Sequence, residues 1–265
     1  MPVTIVTHTR MRLPDDNPTL ARPVLPGARD LDVAAYLSPH KHVFGQVTCT
    51  LSGVLRVTAM NSSWIVPPQR AIWIAPEVEH EITVLERAQL RPLCVHAARA
   101  PFPGRDCKVL AVTPLLREAI VALCQLEEEE RERELLLSNL ILDEVARSAT
   151  RPIRVPLPRD KRLQALCQAL IADPAENRTL ADWARQVGAS ERTLARLFEK
   201  DVEMSFGHWR QQVRLAHAAP LIARGLPLAQ VAAQLGYASQ SAFSAMFKKT
   251  FGVPPSAFFA ADEAR

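Results

Sequence analysis

The stretch from Leu228 to Phe258, LAQVAAQLGYASQSAFSAMFKKTFGVPPSAF, limits what this chain can fold into more than any other. Leu228, Val231, Ala232 and Leu235 stand at i, i+3, i+4 and i+7, the apolar stripe of a short amphipathic helix. Pro227 suits a first helical position, whose N–H has no intrahelical partner. Gly236 suits the left-handed residue that ends a helix. Ser239 reads as the next N-cap. The helix it opens is expected to bury Phe243, Phe247 and Phe251 and to turn Gln240, Ser241, Ser244, Lys248 and Lys249 outward. Gly252 and the pair Pro254-Pro255 stop it. Two short helices joined by a glycine turn, the second polar and basic outside, make a helix-turn-helix. Periodicity alone fits a plain helical hairpin equally well.

The same layout stands upstream. After a helix burying Leu163, Leu166, Cys167 and Leu170, Thr179 caps a helix striped by Leu180, Trp183, Ala184 and Val187, and Gly188 ends it. Ser190 then opens a helix expected to bury Leu194, Leu197 and Phe198, with Glu191, Arg192, Ala195 and Arg196 outward. The two capping serines are 49 residues apart and share S-x-x-x-L/F-x-x-x-F. Phe206, Trp209, Val213 and Ala216 mark a connecting helix between them. At ~15 residues it is ~22 Å long, suited to holding two heads near major grooves ~34 Å apart. Pro220 is expected to bend or restart it.

LGYASQSAFSAMFKKTFGVPPSAF resembles the signature of the AraC/XylS family of transcription regulators, and the resemblance spans about Asp160 to Phe259. It implies base contacts from Glu191, Arg192 and Arg196 in the first head and from Gln240, Ser241 and Ser244 in the second. Arginine matches guanine O6/N7 and glutamine matches adenine N6/N7. Ala245 stands where relatives often carry a long polar residue, which leaves the second head fewer bases to read. Lys248 and Lys249 are expected to grip phosphate. The implied partners are double-stranded operator DNA and a small-molecule effector, and the resemblance admits RNA polymerase.

Residues 1–30 are proline-rich and aperiodic, and read as an irregular arm. Short runs follow at Val47–Leu51, Leu55–Val57, Trp64–Val66 and Ile72–Ile74, punctuated by Gly53, Asn61-Ser62-Ser63 and Pro67-Pro68. That texture suggests a small β-barrel or sandwich. The order of residues resembles the cupin barrel: His40-Lys41-His42 on one strand face, Gln46 where the pattern usually has Glu, Gly53 at the expected interval, then Ala75-Pro76-Glu77-Val78-Glu79-His80, with Glu77 at a common glycine position. The resemblance implies that His40, His42 and His80 match three metal-ligand positions, with the amide of Gln46 at the fourth. Imidazoles suit Zn, Fe, Ni or Cu, and Gln withholds the negative charge that would help hold a divalent transition metal. The alternative is an organic effector pocket that keeps the same four residues for hydrogen bonding. Phe44, Trp64 and Trp73 either line the mouth or fill the core.

Pro114 to about Arg147 reads as one long helical stretch, with Glu127–Arg131 and Glu129–Arg133 pairs at i, i+4 along EEEERERE. Leu136, Leu137, Leu140, Ile141 and Val145 form a stripe that packs on the barrel or, as favoured here, on its copy in a homodimer. Prolines 152, 156 and 158 in RPIRVPLP read as a linker. The expected architecture is α+β in two domains. A cupin-like effector-sensing barrel occupies 1–113, a helical dimerisation or packing segment 114–150, a linker 151–158, and an all-α tandem helix-turn-helix 159–260.

Charge and composition fit this. The net charge is +4, and from residue 156 onward 14 lysines and arginines face 10 acidic residues, while the rest of the chain balances. The basic excess thus lies where phosphates would be met. Five cysteines without a C-x-x-C pair read as buried hydrophobes in a reducing compartment. With no apolar h-region at the N-terminus and no membrane-spanning run, a cytoplasmic chain is expected. The reading is an effector-responsive transcription regulator and not an enzyme. Its alternative is a metal-dependent cupin oxygenase or isomerase carrying an accessory DNA-binding domain.

Overall fold

A computed structural model describes residues 17–68, 70–127, 129–148, 153–251 and 254–259. Its described residues fall into two compact units, one holding those up to Met60 and those from Ile65 to 148, the other Asn61–Trp64 and Ile153–Phe258. The first is rich in sheet and the second in helix.

The strands before the helices are β1 (Val24–Pro26), β2 (Arg29–Leu31), β3 (Tyr36–His40), β4 (Gly45–Cys49), β5 (Val54–Ala59), β6 (Ser62–Val66), whose residues up to Trp64 are counted with the second unit, β7 (Arg70–Ile74), β8 (His80–Glu86), β9 (Ala88–Leu90), β10 (Leu93–Val95) and β11 (Lys108–Ala111). They form one sheet in the order β1-β10-β4-β7-β11, a second that runs β6-β5-β8-β3, and a ribbon of β2 with β9. A single closed barrel is therefore not what forms; the strands make separate open sheets, and the short β1 stands at one edge. Residues 24–31 are not an irregular arm either. Val24 pairs with Val95 and Arg29 with Leu90, because burial of Val24 and Leu25 outweighs the poor local periodicity.

Alternation along β4 sends Val47 and Cys49 to one face, where they pack with Ala71, Trp73, Leu93 and Val95. Two helices, α1 (Pro114–Cys124) and α2 (Arg131–Arg147), cover that face with Leu116, Ile120, Leu123, Ile141 and Val145. Trp73 is fully buried in this core and leaves no room for a Cβ at Gly45, which would lie 2.0 Å from its ring. Trp64 is buried as well, so both tryptophans are core residues.

The expected single helix over 114–147 is broken. Gln125 is the C-cap of α1 and Glu130 the N-cap of α2, and the break between them lets α2 pack back on α1. Glu127, Glu129 and Glu130 thus precede α2, where the macrodipole favours negative charge. The expected Glu127–Arg131 and Glu129–Arg133 pairs give way to Arg131–Glu134 at 2.9 Å and Arg133–Glu130 at 3.7 Å. Glu134 is buried and also takes Arg22 at 2.8 Å. The leucine stripe packs within its own chain: Ile141 and Val145 are buried against the sheet, and Leu137 and Leu140 pack partly buried beside them. Leu136 remains 70% and Leu135 42% exposed.

The second unit opens with a strand, β12 (Ile153–Pro156), where a proline linker was expected. Arg151 and Pro152 lie outside the described residues. Ile153, Val155 and Pro156 are buried, Arg154 N–H donates to Gln212 Oε1, and Trp209 Nε1–H donates to the Pro156 carbonyl at 2.8 Å. Pro156 closes the strand, so the missing N–H costs no internal ladder bond. Helices follow as α3 (Lys161–Ala172), α4 (Leu180–Gln186), α5 (Glu191–Leu197), α6 (Phe206–Ala223), α7 (Leu228–Gln234), α8 (Gln240–Phe251) and α9 (Pro255–Phe259). Pro220 does not restart α6, which runs through it to Ala223. It stands in the last turn, where only one backbone bond is forfeited.

Candidate nucleic-acid interface and histidine cluster

Each of the two helix pairs in the second unit is built by caps. Thr179 opens α4 with a capping box, its hydroxyl accepting from Asp182 N–H while the Asp182 carboxylate accepts from Thr179 N–H. Gly188, at φ +66°, turns the chain, and Ser190 accepts from Thr193 N–H to start α5. The second pair repeats the device with Gly236 at φ +73° and Ser239 accepting from Ala242 N–H. Pro227 proves to be the N-cap of α7, one place before the first helical residue. A side chain at Gly236 would meet the Ala175 carbonyl at 2.7 Å, so this turn is pressed against the α3–α4 loop.

These caps decide which residues face out. Glu191, Arg192 and Arg196 are exposed on α5 over a buried Leu194, while Ala195 and Leu197 are half-buried. Gln240, Ser241, Ala245, Lys248 and Lys249 are exposed on α8 over fully buried Phe243 and Phe247, and Ser244 is half-buried. The side chain of Phe251 and the helix-stopping Gly252 lie outside what the structure describes. The two second helices differ in one respect. α5 passes at Phe198 into a π-helical turn through Val202, which carries Asp201 to the N–H groups of Arg159 and Asp160 at 2.6 and 2.9 Å. Periodicity gives no hint of that turn, because Phe198 is buried in either geometry.

Sequence reasoning also missed Arg214. It is buried on α6, donates to the Pro174 carbonyl at 2.9 Å and to Asn177 Oδ1 at 2.7 Å, and lies 5.2 Å from the centre of the Tyr237 ring. It thus ties the loop before the first pair to the turn of the second. A buried arginine at a helical core position was the only available signal.

In the first unit His40, His42 and His80 come together. His40 pairs across strands with His80, after a register shift between Leu37 and His40. His42 lies beyond the end of β3, so the expected H-x-H face of one strand is not what aligns them. One ring nitrogen from each histidine lies within 4.8 Å of one from each other. The His40 and His80 rings are 4.3 Å apart, and Phe44 stacks on His42 at 4.2 Å. Gln46, also buried, reaches His42 Nε2 through Oε1 at 2.7 Å and donates from its Nε2 to Thr48 Oγ1 at 2.7 Å. Burial pushes His80 down to about 4 and also holds His42 below its ordinary value, so both are neutral near pH 7. Glu77 takes the left-handed conformation at φ +61° that explains glycine's usual place there, and its carboxylate pairs with Lys41 at 3.0 Å.

A cleft of about 230 Å³ elsewhere in this unit is lined by Arg22, Arg131, Glu132, Glu134, Leu135 and Ser138. Its Arg22, Arg131 and Glu134 are engaged in ion pairs that fasten the chain at Arg22 to α2, so the histidine cluster is the better candidate site.

Two capped helix pairs with polar, basic second helices, joined by a long helix, define a DNA-binding regulator. A family described as a helix-turn-helix domain matches residues 183–261. The HTH-type transcriptional regulator NimR of Escherichia coli (strain K12) is 33% identical over 223 residues, 83% of this chain and 81% of its own length. The arabinose operon regulatory protein of the same strain is 33% identical over 139 residues, 51% of this chain and 47% of its own. Among solved structures, ToxT from Vibrio cholerae aligns over 89% of this chain and 98% of its own at a TM-score of 0.38 and 14% identity. The chain belongs to the AraC/XylS family of helix-turn-helix transcriptional regulators. Among the described residues, no helix is long and apolar enough to cross a membrane.

Proposed function

We propose that the protein is a cytoplasmic, effector-responsive regulator that reads operator DNA with two heads in tandem. The observation that carries this is the pair of exposed, serine-capped helix faces with Arg192 and Arg196 on one and Gln240, Ser241 and the two lysines on the other. Arg192 and Arg196, with Glu191, are the base-reading groups of the first head. Gln240, Ser241 and Ser244 read in the second, where Ala245 contributes no polar atom. Lys248 and Lys249 hold phosphate. Small-molecule sensing falls to a cupin-like first unit, at His40, His42, Gln46 and His80. A homodimer through α2 and contact with RNA polymerase complete the reading.

An enzymatic role is the weaker reading. Gln46 stands where the cupin pattern usually has Glu, so the cluster lacks the negative charge that would help hold a catalytic metal. Genome-wide mapping of bound DNA tests the proposal. Enrichment of a repeated bipartite sequence is expected, with loss of base preference in one half when Arg196 is replaced. Uniform, sequence-independent occupancy would refute it.

A further inference from the structure

Two helix pairs read DNA as one object only if the link between them is stiff. α6 is one continuous helix, but the chain leaves it for α7 through Gly225, at φ +78°, where an added Cβ would meet nothing within 4 Å. At that point the connection is held by backbone bonds, Gly225 N–H to the Ile222 carbonyl at 2.9 Å and Leu226 N–H to that of Leu221 at 3.2 Å. A stronger brace lies deeper, at Arg214 in the middle of α6. Its Nε donates to the Pro174 carbonyl at 2.9 Å and its Nη2 to Asn177 Oδ1 at 2.7 Å, while its guanidinium carbon lies 5.2 Å from the centre of the Tyr237 ring. One planar group thus reaches the loop of residues 173–179 and the turn of the second pair together.

Both ends of that brace are anchored in their own heads. On the first side, Arg178 stacks 3.8 Å from the Trp183 ring of α4 and donates to Gln186 Oε1 at 2.6 Å, and Arg210 of α6 donates to the Arg178 carbonyl at 3.1 Å. On the second, the Tyr237 ring lies 5.4 Å from that of Phe243, which is fully buried beneath α8. Stability does not account for an arginine at this place. The acceptors of its bonds are neutral oxygens, and burying a guanidinium costs more than burying an apolar side chain of similar volume. What an apolar side chain lacks is direction, because the rigid fork fixes angles as well as distances.

We infer that Arg214 is a positioning residue that sets the separation and rotation of the two reading heads, and with them the operator spacing the protein accepts. The inference rests on the tandem reading proposed above and adds to it the residue that selects spacing. Buried in α6, Arg214 reads no base itself. Heads held rigidly gain from an intramolecular second binding event at the matching span, and lose that gain when link and span disagree. One inserted base pair moves two half-sites about 3.4 Å apart and turns them by roughly 35°. A loosened link spreads a smaller gain over several spacings.

The probe is a duplex selected from a random library by the full-length wild-type chain. It is remade with either half scrambled, and with base pairs inserted or removed between the halves. Wild type is expected to bind the intact duplex about 100-fold more tightly than a half-scrambled one, and to lose about 10-fold on insertion of a single base pair. Arg214→Met keeps a long buried stem without the fork. It should bind the half-scrambled duplexes within about 2-fold of wild type, bind the intact duplex about 10-fold more weakly, and respond to the inserted base pair by less than about 3-fold. Asn177→Ala, at an exposed loop position, removes one acceptor of the fork and should move both readings the same way by about 3-fold. Circular dichroism checks the folding of each variant, and Asn177→Ala decides the matter if Arg214→Met does not fold. Wild-type spacing selectivity in the folded variants, or equal losses on intact and half-scrambled duplexes, would overturn the role of Arg214 and leave the tandem reading standing. Selection of a sequence with one half only would sink the tandem reading and this role with it.

Discussion

At the residue scale, similar side chains are assigned different work. Arg196 stands exposed on α5. Arg196→Ala should cost ~1–3 kcal/mol at the operator and relax base preference in one half. Lys248, on the outer face of α8, should act through charge alone. Lys248→Ala should weaken all sequences alike and lower the salt slope by about one. Titration of both variants against single-base operator variants at two salt concentrations separates them, and matching losses would remove the distinction. Asp160 gives a pH-dependent case. It caps α3, and hydrogen bonds from the Arg162 side chain hold its carboxyl down at about 2. A carboxyl lowered in the folded state contributes stability above its ordinary pKa, and that contribution is lost as pH falls through the folded value. The urea midpoint of wild type should therefore drop more steeply than that of Asp160→Asn between pH 4 and 2 (window set by the ordinary value near 3.9 and the folded value near 2).

At the element scale, turns and caps determine which face of a helix is available. Gly188 and Gly236 have the same backbone conformation, but only Gly236 has a neighbour in the way. Gly188→Ala should cost ~1 kcal/mol of strain. Gly236→Ala adds displacement of the Ala175 loop and should cost about 2–3 kcal/mol. Equilibrium denaturation of the full chain compares them, and equal losses would show that the α3–α4 loop yields freely. α2 illustrates the opposite limit. Its apolar stripe is visible from spacing, but Ile141 and Val145 are already used by the sheet, leaving Leu135 and Leu136 as its exposed apolar residues.

At the scale of the whole molecule, those leucines are what remains for a second copy. Replacing Leu135 and Leu136 together by Lys should leave the fold intact and shift the full chain toward monomer in sedimentation, with tandem-operator affinity falling as the linkage is lost. An unchanged dimer would move the interface elsewhere, and a monomeric wild type at micromolar concentration would dispose of it. The full chain is the right material, because β12 and Asn61–Trp64 belong to the second unit, and a fragment cut at residue 156 would lose Ile153 and the Arg154–Gln212 bond.

What the sequence determined by itself was local and periodic. Glycine turns, serine and threonine caps and stripes at i, i+3, i+4 and i+7 are written in neighbouring residues, so both helix pairs and their outward groups were legible from one strand of text. The strands around Val47, Val57, Ile65 and Trp73 were legible for the same reason, as was the set of His40, His42, Gln46 and His80. Tertiary structure decided the rest. It recruited residues 24–31 and 153–156 into strands despite their prolines, because pairing partners distant in sequence buried them. It broke the 114–147 helix so that α2 could return to the sheet, and carried α6 through Pro220 near its end. It also brought His42 to His80 from outside the strand expected to hold it. Spacing records which residues share a face of one element. Which faces meet depends on contacts between residues far apart in the chain.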